Sequence, residues 1–188
     1  MRTHLTILAA SAAFVVSGLA GCGGTPQDAA NLAAGAAATP TGSLTPPSEQ
    51  DTTWMKEIHQ VNLAEIQAGR LGESKGTTKE IKSVGKMLVD DHTKLDSQVT
   101  QVASRLGIEL PSSPNKDQKE LMKKLEGASG KDFDTMWLKG MTKGHEQAIE
   151  ATKKEVSDGS SQVVTTLAKA AQPQLEDHLN ALRKAQGG

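Results

Sequence analysis

Apolar residues recur every three or four positions from Asp51 onward, and this spacing predicts long amphipathic helices. Breaks at Gly76, at Gly107 and at two later glycine-containing turns divide the pattern into four such segments. In each segment the recurring positions form one stripe along the helix, and the four stripes are predicted to face a common core. The four stripes comprise Trp54, Ile58, Val61, Glu65, Ala68 and Gly72; Ile81, Val84, Leu88, Asp91, Leu95, Val99, Val102 and Leu106; Leu138, Met141, His145, Ile149, Thr152 and Val156; and Val164, Leu167, Ala171, Leu175, His178 and Leu182.

The connection between the second and third long helices decides the predicted topology. It spans Gly107 to Gly130 and includes an amphipathic segment at 117–126 that predicts a short extra helix. An up-down-up-down bundle would need only a short loop at this point, whereas a ferritin-like bundle needs a crossover that runs the length of the bundle. The predicted fold class is therefore all-α: a four-helix bundle of the ferritin-like type, with a short extra helix in the crossover between helices 2 and 3.

Local signals mark the ends of the predicted helices. Thr77 followed by Glu80 forms a capping box that would start the second long helix, and the turn at 158–161 supplies the N-cap of the last one. Pro173 falls inside that last helix, where it removes one backbone hydrogen bond and is expected to cause a kink.

The first 21 residues have the features of a secretory signal, with one positive charge followed by a short apolar stretch. They lead into Leu19-Ala20-Gly21-Cys22, which resembles the lipobox of bacterial lipoproteins, in which the signal is cleaved before the cysteine and the cysteine is acylated. Residues 22–50 are rich in Gly, Ala, Thr, Pro and Ser without periodicity, which is typical of a flexible tether. The predicted organisation is a cleaved signal at 1–21, lipidated Cys22 and tether at 22–50, and the bundle domain at 51–186.

A lipidated Cys22 would make the membrane a partner of this protein, because each buried CH₂ of an acyl chain adds about 0.8 kcal/mol to membrane binding. The resemblance to lipoproteins implies export to the cell envelope, and Gly23 implies the outer membrane facing the periplasm if the host is Gram-negative. The alternative is an ordinary signal peptide followed by a chance cysteine. Cys22 is the only cysteine in the sequence, so an intramolecular disulfide is excluded.

Composition and motifs exclude several functional classes. The 21 basic and 22 acidic residues nearly balance, and no run of like charge marks a nucleic-acid-binding arm. With no Tyr, two Trp and two Phe, the chain lacks the aromatic surfaces on which bases stack. No Gly-x-Ser-x-Gly elbow and no phosphate-binding glycine loop is present. We therefore expect no nucleic acid partner, and the sequence identifies no protein partner.

Five ionisable side chains interrupt or border the predicted core stripes, at heights that a rise of about 1.5 Å per residue puts within about 10 Å of one another. An unpaired charge is costly to bury, so these groups must satisfy one another or hold a metal ion. Mixed histidine and carboxylate ligands would suit Zn, Fe, Mn or Cu. The alternative is a metal-free hydrogen-bonded network that sets the helix register. The candidate metal ligands are Glu65, Asp91, His145 and His178 within the stripes and His92 at the edge of its stripe.

The spacing of these residues disfavours a di-iron oxidase. Bundles of that class use a Glu-x-x-His motif on two helices. Here Val89 stands three residues before His92, and Leu175 stands three residues before His178. We therefore assign no catalytic residue and expect a binding or structural protein rather than an enzyme.

A set of motifs across the whole domain resembles the ferritin-like helical proteins catalogued as domain of unknown function 4142, often labelled predicted outer membrane proteins. The resemblance implies the ferritin-like fold and an envelope location, and it implies no activity. Trp137 departs from the family pattern, which prefers Tyr, and Gly72 stands where Ala is usual. The matching segments are Asn62-Leu63-Ala64-Glu65 with Gly69, Met87-Leu88-Val89-Asp90-Asp91-His92, Leu110-Pro111, Gly130-Lys131-Asp132-Phe133-Asp134, Met141 with His145, and Pro173-Gln174-Leu175 with His178.

Together these observations predict an envelope lipoprotein that presents a ferritin-like helical binding or structural domain with a buried cluster of histidines and carboxylates. The alternative is a metal-binding or metal-dependent oxidoreductase protein of the ferritin type.

Overall fold

A computed structural model describes residues 46–187, and within them the chain forms five α-helices and no strand. The all-α prediction is confirmed, and the third helix lies at the position predicted for the short one. The signal at 1–21, Cys22 and the tether up to residue 45 lie outside the described residues. The helices are α1 (Glu49–Lys75), α2 (Lys79–Leu106), α3 (Lys116–Gly127), α4 (Gly130–Asp158) and α5 (Gln162–Gln186).

Two helix starts differ from the prediction by one or two residues. Helix α1 begins at Glu49, before the predicted domain start at 51, because Ser48 and Asp51 form a capping box. The N-cap of α2 is Thr78, whose hydroxyl accepts a hydrogen bond from the Ile81 N–H. The predicted capping box at Thr77 is therefore wrong. The Thr77 N–H and hydroxyl instead donate to the Asp134 carboxylate of α4.

Hydrogen bonds between distant segments establish the directions of the long helices. Thr77, in the turn between α1 and α2, bonds to Asp134 at the start of α4. Asp51, at the start of α1, accepts from the N–H groups of Ser160 and Ser161 in the turn between α4 and α5. Helices α1 and α4 are therefore antiparallel, and the connection that contains α3 returns from one end of the domain to the other. The most extensive helix pairings are α1 with α2 and α4 with α5.

Two apolar clusters fill the interior. One lies towards the start of α1 and is built around Trp54, Ile58, Leu95 and Leu175. The other lies towards the α1–α2 turn and includes Leu88. Of the leucines in the predicted stripes, Leu106 is partly buried and the others are buried: Leu88, Leu95, Leu138, Leu167, Leu175 and Leu182.

Helix α5 continues through Pro173 without interruption from Gln162 to Gln186. A proline in a helix interior removes one backbone hydrogen bond. Helix α5 nevertheless packs against α4 and α2. No helix within residues 46–187 is long and apolar enough to cross a membrane.

Candidate metal centre

A polar layer separates the two apolar clusters. On α2, His92 lies between Leu88 of one cluster and Leu95 of the other. On α4, His145 likewise lies between Met141 and Ala148. The layer also contains His178 of α5 and Asn62 and Glu65 of α1, and all five of these polar side chains are buried.

The three histidine rings of this layer meet one another. Their ring centroids are 5.1–5.5 Å apart in all three pairs. One ring nitrogen from each of His92, His145 and His178 lies within 4.8 Å of the other two. Three helices that are distant in sequence thus bring together three potential metal ligands.

Each ring uses its other nitrogen to donate a hydrogen bond to an acceptor outside the triad. Nδ1 of His145 donates to the Met141 carbonyl at 3.0 Å. Nε2 of His178 donates to Asp91 Oδ2 at 3.2 Å, and Nδ1 of His92 lies 2.9 Å from Asn62 Oδ1. Backbone carbonyls, carboxylates and side-chain amide oxygens only accept hydrogen bonds, so the ring hydrogens belong to these outward-facing nitrogens.

The inward-facing nitrogens are therefore bare when the rings are neutral, because a neutral imidazole carries one N–H. Nε2 of His145 and Nδ1 of His178 face each other at 3.3 Å. Nε2 of His92 is fully buried and has no hydrogen-bond partner within residues 46–187. The site is thus a buried point at which three lone pairs converge.

Burial keeps the rings neutral. It lowers the pKa of His92 well below its ordinary value, and the neighbouring His145 and His178 lower it further. Burial and the charge of His178 lower the pKa of His145 to about 4. Burial also lowers the pKa of His178, although the hydrogen bond to Asp91 opposes this. At neutral pH all three side chains are therefore available as ligands.

The two carboxylates predicted as ligands lie beside the outward-facing nitrogens. Asp91 bonds to His178 and Lys94, and these hydrogen bonds hold its pKa below the ordinary value although burial acts to raise it. Glu65 Oε1 lies 3.6 Å from Nδ1 of His145, and its Oε2 has no partner among the described residues. Burial raises the pKa of Glu65 to about 8.

The structure reverses the predicted burial of Asp91 and His92 on α2, and it adds Asn62 to the candidate site. His92, predicted at the edge of its stripe, is fully buried, whereas the side chain of Asp91, predicted within the stripe, is 25% exposed. Asn62 was not predicted as a site residue. The sequence feature that could have identified Asn62 is its position four residues after Ile58, which places it on the buried face of α1.

Comparisons with known proteins show the family and the fold. The chain is similar to a solved structure described as the crystal structure of a DUF305 fragment from Deinococcus radiodurans, with 11% identity and a TM-score of 0.68 over 76% of this chain and 99% of that one. At this identity the likeness shows the fold alone. No curated protein matches the chain. A family model described as domain of unknown function (DUF4142) matches residues 36–185. The chain therefore belongs to the DUF4142 family.

Proposed function

We propose that this protein binds one divalent transition-metal ion through His92, His145 and His178. The observation that carries the proposal is the convergence of three bare ring nitrogens in a buried layer. Lone pairs that face one another at 3.3 Å repel unless a cation or a hydrogen lies between them. The hydrogens are already used on the outward-facing side, so a metal ion is the partner that satisfies all three rings at once.

The separation of two of the three nitrogens suits a tetrahedral ion. Zn²⁺ with Zn–N distances of 2.0–2.1 Å has neighbouring nitrogens about 3.3 Å apart. This matches the separation of His145 Nε2 and His178 Nδ1. Imidazole ligands favour Zn and Cu, and they also accept Fe and Mn, whereas Mg and Ca prefer oxygen ligands. Three histidines leave a fourth coordination position open.

The carboxylates would support the ligands rather than bind the ion. Metal-binding histidines commonly donate their second N–H to a carboxylate or carbonyl, which orients the ring and raises its basicity. The Asp91 carboxylate accepts in this way from His178, and the Met141 carbonyl accepts from His145, with Glu65 Oε1 3.6 Å from the same His145 nitrogen. Asn62 has the same relation to His92.

We also infer the wider setting of this site. The antiparallel helix pairs and the long connection that contains α3 support a ferritin-like four-helix bundle. Leu19-Ala20-Gly21-Cys22 supports a lipoprotein anchored in the cell envelope. The proposed protein is therefore a lipid-tethered metal-binding domain, and a role as an oxidoreductase has no separate observation in its favour.

Metal analysis of the protein tests this function. Protein purified without chelator is expected to contain one equivalent of metal per chain. Metal that binds the folded chain stabilises it by about 2.7 kcal/mol at a hundred times Kd, so chelator should lower the melting temperature of the wild type. His145→Ala and His178→Ala should each abolish binding and the response to chelator.

Asn180→Ala is the matched control, because Asn180 is exposed on the same helix as His178. It should retain the metal and the response to chelator. Wild-type protein that takes up no Zn, Cu, Fe or Mn, and whose melting temperature ignores chelator, would show that the triad is a metal-free network.

A further inference from the structure

A chain of hydrogen bonds links the partly exposed surface of α1 and α2 to His92. His59 donates from Nδ1 to Asp96 Oδ1 at 2.7 Å. Asn62 donates from Nδ2 to the same oxygen at 3.4 Å, and its own Oδ1 lies 2.9 Å from His92 Nδ1. Asn62 and His92 are fully buried, whereas 18% of the Asp96 side chain is exposed.

Asp96 determines which way the Asn62 amide faces. An ionised carboxylate only accepts hydrogen bonds, so the amide NH₂ must face Asp96 and the amide oxygen must face His92. The amide oxygen also only accepts, so the hydrogen of this contact belongs to Nδ1 of His92. With its single hydrogen on Nδ1, the neutral ring keeps Nε2 bare on the side of the other two histidines.

We infer that Asp96, acting through Asn62, sets the tautomer of His92 and thereby the metal affinity of the three-histidine site. Asp96 is a positioning residue, since its hydrogen bonds are to His59 and Asn62 rather than to the three histidines, and it acts on His92 through Asn62. His59 holds Asp96 by a second hydrogen bond. The effect on affinity rests on the proposed function, whereas the tautomer is a property of the metal-free chain and can be measured without any metal.

The test is the tautomer of His92 in metal-free full-length protein, read from long-range ¹H–¹⁵N correlations after labelling of histidine. Wild type is expected to carry the hydrogen on Nδ1. Asp96→Asn keeps the side-chain volume but lets either face of the Asn62 amide turn to His92, so a mixture with the Nε2–H form is expected. The same variant should bind Zn²⁺ roughly 10- to 100-fold more weakly in a competition titration.

Asp90→Asn is the matched control, because Asp90 is an exposed carboxylate of α2 that pairs with Lys86 at 2.8 Å. It should change neither the tautomer nor the affinity. Asn62→Leu removes the acceptor itself and should also shift the tautomer.

Two results would overturn the inference: an Nδ1–H form of His92 that persists unmixed in Asp96→Asn, or an Nε2–H form in the wild type. If the tautomers behave as expected but the wild type binds no Zn²⁺, the proposed function fails and the positioning role of Asp96 stands.

Discussion

At the scale of single residues, Asp51 and Glu155 form a second buried polar cluster, at the end of the domain where α1 begins. Asp51 accepts hydrogen bonds from the backbone N–H groups of Ser160 and Ser161 at 3.0–3.2 Å, so a side chain of α1 caps the start of α5. Although burial acts to raise the pKa of Asp51, these bonds and those from Ser48 hold it below its ordinary value. Burial and a hydrogen bond to Asp51 raise the pKa of Glu155 to about 7.

Glu155 should therefore make the stability depend on pH. In the unfolded chain its pKa is near 4.5, so between about pH 4.5 and 7 the folded state holds a proton that the unfolded state has released. This contribution is complete below pH 4.5 and is lost as the pH rises through about 7. The free energy of unfolding of Glu155→Gln minus that of the wild type should therefore be larger at pH 8 than at pH 5. Urea unfolding of metal-free protein at both pH values measures this difference.

Glu150→Gln provides the control for this prediction, because Glu150 is an exposed glutamate on the same helix. Its stability relative to the wild type should be the same at pH 5 and pH 8. The difference between variant and wild type also cancels the contributions of Glu65 and the histidines, which both proteins share. A pH-independent difference for Glu155→Gln would show that the pKa of Glu155 is not raised in the folded state.

At the scale of helices, the pairing of α1 and α2 depends on two glycines. A Cβ at Gly85 would lie 2.6 Å from the Gly69 carbonyl oxygen, and a Cβ at Gly69 would lie 2.7 Å from the Gly85 carbonyl oxygen. These neighbours are backbone atoms, so they cannot move aside without separating the helices. The two helices approach closely because neither carries a side chain at the crossing.

Gly85→Ala should therefore destabilise the domain by about 1–3 kcal/mol, the usual cost of overpacking, despite the higher helix propensity of alanine. The measurement is the free energy of unfolding from urea titrations. Gly127→Ala is the control, since a Cβ at Gly127 meets no atom within 4 Å among the described residues, and it should be neutral or slightly stabilising. A Gly85→Ala variant as stable as Gly127→Ala would refute the close crossing.

Trp137 and Gly72 contact each other where α1 packs on α4. Nε1 of Trp137 donates to the Ala68 carbonyl at 2.7 Å, and its ring lies against Gly72. A Cβ at Gly72 would lie 2.7 Å from the Trp137 ring. The absence of a side chain at position 72 therefore makes room for the Trp137 ring.

At the scale of the whole molecule, the sequence that precedes the helical domain predicts how the domain is attached to a membrane. Leu19-Ala20-Gly21-Cys22 predicts lipid attachment, and the residues between the anchor and α1 predict a tether. Single-chain acylation gives only marginal membrane binding, whereas several chains anchor a protein stably. The domain itself has no membrane-spanning helix within residues 46–187.

Cys22→Ser should consequently move the protein from the membrane fraction to the soluble fraction. Intact-mass analysis of the wild type should show the added acyl chains on Cys22. Gly24→Ser changes the tether without touching the cysteine and should stay in the membrane fraction. Mature wild-type protein that begins at Cys22 without lipid would contradict the prediction.

The sequence by itself determined the helices, because their signals are local. Apolar spacing, the turn at Gly76, the stop at Gly107 and the break before Gly130 act within one or two helical turns, and the observed bounds follow them closely. Even the early start of α1 has a local cause, the capping box of Ser48 and Asp51. The same spacing placed His145 and His178 in the interior and His92 at the edge of its stripe.

Only the tertiary structure decided what those histidines do to one another. Neighbouring residues on a helix are about 100° apart, and periodicity placed Asp91 in the stripe and His92 at its edge. Packing reversed this order, because His92 is fully buried and the Asp91 side chain is 25% exposed. For His92 and His178, the choice of which ring nitrogen faces inward depends on acceptors from other helices, Asn62 and Asp91, whereas the acceptor of His145 is the Met141 carbonyl one turn earlier on α4. These contacts join residues up to 87 positions apart, and no local pattern in the sequence encodes such a distance.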